Sequence, residues 1–163
     1  MNQRGSTSMF KYSPLDPTVD SIRLVVLEPG NPPNEIRCHI RHVTFRARPK
    51  YQAISYTRGD HPANKELSID GKSFFVGPNL YDALFYLRDI QKECVFWIDA
   101  ICINQADIHE KNRQISIMPY IYTRAQVVVV WLGCIRQIWI ILFSDPEAVI
   151  DSQTSTRVLE AMR

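Results

Sequence analysis

The chain has 163 residues, 45% hydrophobic and 22% charged, with a formal net charge of +2. That length supports one domain with a buried core, in the composition range of ordinary globular proteins. The charge is too small for the basic footprint of a dedicated nucleic-acid binder, no apolar run approaches the roughly 18 residues that span a bilayer, and the amino-terminal stretch lacks a signal-peptide core.

Residues 1–20 are polar and proline-bearing and read as a loose leader, with Asp16 and two prolines set against an amphipathic targeting helix. "SIRLVVLEPG" is a short β-branched run stopped by Pro29 and Gly30. In "IRCHIRHVTF", Ile36, Cys38 and Ile40 alternate with Arg37, His39 and Arg41, so the two segments predict a hairpin. "YQAISY" is a further strand, followed by the polar loop "TRGDHPANKE". Asp70-Gly71 between two apolar runs predicts a tight hairpin. "GPNLYDALFYLRDI" predicts a helix capped by Asn79, with Leu80, Leu84 and Leu87 on one face.

"VFWIDAICI" is apolar on both alternating faces, as in a strand covered on both sides. From Asp107 to Ala125 apolar positions recur at helical spacing, with Pro119 set to kink or split the helix. "VVVVWLG" is a second buried strand, so strand, helix and strand form a βαβ unit with parallel pairing. This predicts that the Asp99 strand is central and flanked by "VVVVWL". "CIRQIWIILF" fits either a strand or a buried helix, and "SDPEAVIDSQ" begins like a helix, with Ser144 or Asp145 as cap and Pro146 in the first turn. The fold class expected is α/β, with a central mainly parallel sheet, flanking helices and N-terminal β-hairpins.

Ligands of parallel α/β sheets bind outside the carboxyl ends of the strands. This places Cys102, Asn104 and Gln105 at such a site, with Asp99 slightly deeper. A buried carboxylate costs several kcal/mol unless paired, so Asp99 needs partners, either to tie down a loop or to shape a ligand site. Glu110 lies in the first turn of the next helix, where a carboxylate complements the helix dipole. Cys102 and His109 lack an oxyanion motif or an orienting partner, which favours a packed thiol over a nucleophile. Cys38, His39 and His42 fail as a metal site because His39 and His42 point to opposite faces of a strand.

Arg37, Arg41, Arg46, Arg48 and Lys50 form one basic patch, by default a solvated hairpin face. No phosphate-binding glycine loop is present. Four cysteines, Cys38, Cys94, Cys102 and Cys134, form no C-x-x-C pair. They read as free thiols of a reducing compartment, which makes the expected location intracellular. The bulky run "CIRQIWIILF" predicts that the isolated chain self-associates or aggregates.

In order, "YSPLD", "IRLVVLEPG", "IRCHI", "YQAISYTRGD", "IDG", "VGPNLYDALFYLR", "WIDAICINQADIHEKNRQ", "MPYIYTRA" and "VVVVWLG" resemble the heterokaryon-incompatibility (HET) domain of filamentous fungi. The matches span residues 12–133, within a HET-type domain placed at 21–133 and followed by an atypical or truncated part at 134–163. The resemblance implies a cytoplasmic effector of non-self recognition whose activation leads to programmed cell death. Its partners would be itself or other incompatibility-signalling proteins, with neither nucleic acid nor membrane. HET domains are similar at a distance to Toll/interleukin-1 receptor (TIR) domains, some of which cleave NAD with a catalytic glutamate. That analogy implies a TIR-like sheet and makes Glu110 a candidate catalytic carboxylate in a solvent-reachable cleft, with Asp99, Cys102, Asn104 and Gln105 around it. NAD would be substrate, with no resident cofactor and no metal. Arg58 stands where the family's "SY-x-W-G-D" motif has tryptophan, so Arg58 and Asp60 join the ligand-binding candidates. Beyond Gly133 the sequence turns apolar where the family is more polar, which leaves an inactive, shortened fragment as a further reading.

Overall fold

The computed structural model describes residues 8–31, 33–133 and 139–143, the last by backbone alone. Strand β1 (Ser21–Leu27) is buried at every position, so both of its alternating faces are covered. It forms the expected hairpin with β2 (Arg37–Thr44), with Ser21 opposite Thr44 and Leu27 opposite Cys38. β3 (Gln52–Tyr56) follows, then the hairpin of β4 (Lys65–Ile69) and β5 (Lys72–Val76). Asp70 and Gly71 turn that hairpin with φ of 52° and 72°, the left-handed pair that a two-residue type I′ turn demands.

Helix α1 (Pro78–Leu87) buries Leu80, Ala83 and Leu84. Its cap is Gly77 rather than Asn79; Pro78 takes the first helical position, where its missing N–H costs nothing. β6 (Cys94–Trp97) leads into the single turn α2 (Asp99–Cys102), then α3 (Ile108–Ser116), α4 (Met118–Arg124), β7 (Val127–Trp131) and β8 (Trp139–Phe143). Pro119 sits in the first turn of α4 and the helix is split at Ile117, as its position predicted. The segment expected as strand or helix beyond Gly133 contributes β8, whereas the helix start at Ser144, Asp145 and Pro146 lies outside the described residues.

The eight strands form one sheet in the order β5-β4-β2-β1-β6-β3-β7-β8. The α/β class stands, but the sheet is mixed rather than mainly parallel. β3 runs parallel to both β6 and β7, and β2 pairs parallel with β4; the other four pairings are antiparallel. The physical reason is connection length. Hairpin connections make β1–β2 and β4–β5 antiparallel neighbours, whereas the helical crossover from β6 to β7 allows a parallel arrangement. That crossover steps over β3, which lies between β6 and β7 and pairs with β7 from Gln52–Val127 to Tyr56–Trp131. The expected flanking of β6 by β7 is therefore corrected: they are parallel but not adjacent.

Residues 8–20 are not a loose leader. Phe10 N–H donates to the Ser73 carbonyl at 3.0 Å, and the rings of Phe10, Tyr12 and Phe74 meet edge to face. Leu15 is buried in the same stretch. Aromatic side chains dispersed among polar residues leave no periodicity to read, yet each buries a large area once a partner is present.

Candidate functional site

The apolar run around Asp99 changes conformation in its middle. β6 ends at Trp97, and the Cys102 amide donates to the Ile98 carbonyl at 2.7 Å, closing the α2 turn. Asp99 thus begins a helical turn just past the strand's carboxyl end, instead of lying within the strand. Its carboxylate accepts from Arg58 Nη2 at 2.7 Å, and its carbonyl accepts from Gln105 Nε2 at 3.0 Å. Arg58 is held on the loop after β3, so the pair links the ends of two parallel neighbours, where α/β sheets present ligand-binding groups. Burial, then the Asp99 charge, pushes the Tyr56 and Tyr122 hydroxyls up to about 12. The hydrogen bond that it donates to Asp99 holds the Arg58 guanidinium above its usual value. Both phenols therefore stay protonated at neutral pH beside a neutralised ion pair, and the Tyr122 hydroxyl donates to the Ile54 carbonyl at 3.5 Å.

Asn79 fixes the next part of this rim. Its Nδ2 donates to the Thr57 carbonyl at 2.5 Å, and its Oδ1 accepts from Trp131 Nε1 at 2.7 Å. One amide thereby ties the Arg58 loop to the end of β7. Asp60 is exposed farther along that loop.

Glu110 has a different environment. It is 4% exposed and forms a two-pronged ion pair with Arg23 of β1, Nη1 to Oε1 at 2.5 Å and Nη2 to Oε2 at 2.9 Å. Oε1 also accepts the Asn104 amide at 2.8 Å. Arg23 donates further to the carbonyls of Cys102 at 3.2 Å and Ser13 at 2.6 Å, and its guanidinium lies 4.9 Å from the centre of the Tyr12 ring. The Tyr12 hydroxyl donates to the Ile101 carbonyl at 2.9 Å, and Gln114 Nε2 to the Ser21 carbonyl at 3.0 Å. Burial opposes ionisation of Glu110, but the Arg23 and Asn104 hydrogen bonds outweigh it and hold the carboxyl below its usual range.

The expected solvent-reachable cleft at Glu110 is accordingly replaced by a filled polar joint. It locks the amino-terminal segment, β1, α2 and α3 together. Asp107 supplies the α3 cap by accepting the Glu110 amide at 3.0 Å. Asn104 Oδ1 accepts the Ala106 amide at 3.2 Å, so its side chain closes a local turn. Cys102 is wholly buried, and burial pushes its thiol up to about 12; it packs as a small hydrophobe rather than reaching a ligand. Asp99 and Glu110 thus serve separate ion pairs instead of facing one cleft.

Sequence reasoning passed over Arg23. The available signal was of the same kind as for Asp99: a lone charge inside the run "SIRLVVL", which reads as buried on both faces. Among the described residues no group of three or more His, Cys, Asp or Glu could hold a metal ion, and no helix is long and apolar enough to cross a membrane. Cys38, Cys94 and Cys102 are free thiols, and Cys134 lies outside the described residues.

The family described as "Heterokaryon incompatibility protein (HET)" matches residues 51–157, a span that carries Arg58, Asp99, Asn104, Gln105 and Glu110. The chain belongs to the heterokaryon-incompatibility family. The HET match also runs on past Gly133. The chain is similar to heterokaryon incompatibility protein 6, OR allele, of Neurospora crassa, with 34% identity over 143 residues. That alignment covers 77% of this chain and 21% of the relative, so this HET chain spans about a fifth of the curated protein it matches. No solved structure matches it.

Proposed function

We propose that this HET domain acts in fungal self/non-self recognition as a cytoplasmic signalling module whose activation leads to programmed cell death. It works by association with itself or with other incompatibility proteins. The observation that carries this reading is the filled joint at Glu110. Both carboxylate oxygens there accept from Arg23, one also accepts from Asn104, and the side chain is 4% exposed, so the carboxylate already faces a buried cation and has no open approach for another. β8 adds support for association. It is the last strand of the sheet, and among the described residues nothing pairs its outer edge. An unpaired edge is a ready template for a further strand.

The second reading, an NAD-cleaving enzyme on a TIR-like sheet, rests on fold analogy. It would require the Arg23 pair to open and release Glu110. In its favour stand Asp99, Arg58, Tyr56 and Gln105, gathered at the carboxyl ends of parallel strands. The two readings separate on expressing the chain in a filamentous fungus and following viability together with total NAD. Death with NAD maintained supports the signalling module. NAD loss preceding death would replace that reading with the enzyme, and survival at full expression would remove the cell-death role from this chain.

A further inference from the structure

At the opposite end of the sheet, beside the amino ends of β3 and β7, lies a cavity of about 300 Å³ lined by Phe45, Arg48, Pro49, Lys50, Tyr51, Arg124 and Gln126. Three of these are cations, and none of the lining residues is acidic. No ion pair engages Arg48, Lys50 or Arg124 among the described residues. A concave wall of one charge sign focuses its field on whatever enters, and here that field is positive.

Arg48, Lys50 and Arg124 are exposed at the cavity's rim, and two features distinguish the two arginines from freely solvated ones. Arg48 holds a left-handed backbone, φ 48° and ψ 56°, where its amide donates to the Phe45 carbonyl at 3.0 Å and closes a short 3-10 turn, Phe45–Ala47. Glycine or asparagine adopts that conformation at less cost, yet a guanidinium occupies it. Strain kept at such a position points to a role for the side chain. Arg124, in turn, is held in place: its guanidinium lies 4.8 Å from the centre of the Tyr120 ring, which meets Phe45 edge to face at 4.8 Å. The wall behind them is tied by two hydrogen bonds, from the Tyr51 hydroxyl to the Ile121 carbonyl at 2.6 Å and from the Gln126 amide to the Tyr51 carbonyl at 2.9 Å.

We infer that this cavity is a binding site for a small phosphate-bearing molecule, held by Arg48, Lys50 and Arg124 with its organic part against Phe45 and Pro49. Two guanidiniums suit the forked geometry of phosphate oxygens, and Lys50 adds a point charge. The volume lies at the low end for small-ligand pockets, which limits the ligand to about the size of a mononucleotide. The site is separate from the Asp99–Arg58 rim and does not depend on the signalling reading.

The test is calorimetric titration of the 163-residue chain with AMP, pyrophosphate and adenosine at low ionic strength, using the parent, Arg48→Gly and Arg124→Gln. AMP and pyrophosphate are expected to bind with Kd below about 1 mM, weakening with salt, while adenosine gives no heat. Each variant should weaken AMP binding about tenfold or more, the effect of losing one charge-assisted contact. Arg48→Gly relieves the left-handed strain, so its melting temperature should equal or exceed the parent's, which separates lost binding from lost folding. Absence of heat from both phosphate compounds, or affinities unchanged in both variants, overturns the inference. Sedimentation with vesicles bearing phosphoinositide, without binding of either soluble phosphate compound, would reassign the patch to a lipid surface and overturn it equally.

Discussion

Replacing Glu110 by Gln probes the joint beneath the candidate site. Arg23 is fully buried, and four of its hydrogen bonds are described, two of them to Glu110. The amide of Gln keeps one acceptor oxygen, but in either orientation its NH2 faces a guanidinium N–H, and in one of them the Asn104 N–H as well, all of them donors. One charge-assisted bond is lost and a buried cation is left without its counter-charge. Breaking such a pair from one side costs about 3 to 5 kcal/mol, against a total of about 5 to 15 kcal/mol for a typical domain. An exposed first-turn carboxylate would cost only about 0.3 to 1 kcal/mol, so the two descriptions of Glu110 are well separated. Urea unfolding at pH 7 measures the difference, with the midpoint falling at unchanged slope. The sign with pH follows from the lowered folded-state value of Glu110. The pair's contribution is fully present above the unfolded carboxyl value of about 4.3 and is lost as pH falls through the lower folded value. The gap between parent and variant should therefore narrow in acid. Combining Arg23→Met with Glu110→Gln should cost less than the two single changes added, because neither charge is then stranded. A Glu110→Gln variant within 1 kcal/mol of the parent, at a precision set by extrapolation, would refute the joint.

Asp99→Asn, by contrast, should shift stability by about 1 kcal/mol or less in the same assay, because the side chains of Arg58 and Asp99 are 56% and 27% exposed; a larger loss would mean the rim carries the fold. Cys38 and Cys102, both buried with thiols pushed up to about 12, should resist iodoacetamide at pH 8 until the chain unfolds. Peptide mass spectrometry would detect this, with the half-buried Cys94 labelled sooner. Gly30→Ala should destabilise by about 1 to 3 kcal/mol, since a Cβ there runs into the Arg88 guanidinium, which is pinned by the carbonyls of Glu28, Pro29 and Asn34. Thermal melting with an unshifted midpoint would show that Arg88 can move aside.

The sequence alone determined the elements whose signals are local. The β1–β2 hairpin was legible from alternation, the β4–β5 hairpin from Asp70-Gly71, and the break before α4 from Pro119. Each depends on backbone preferences within a few residues, and the family pattern "WIDAICINQ" is local in the same sense. Tertiary structure decided what depends on partners distant in the chain. "FWIDAICI" is apolar throughout, so its period could not show that strand gives way to helix between Trp97 and Asp99; packing made that choice. One long crossover from β6 to β7, not composition, leaves room for β3 between them, paired parallel to both. The role of Glu110 lay furthest from view: its position in α3 suggested a surface charge, and only the fold brings Arg23 to it across 87 residues of chain. A buried charge is viable only with such a partner, and the sequence shows that each charge needs one without showing which.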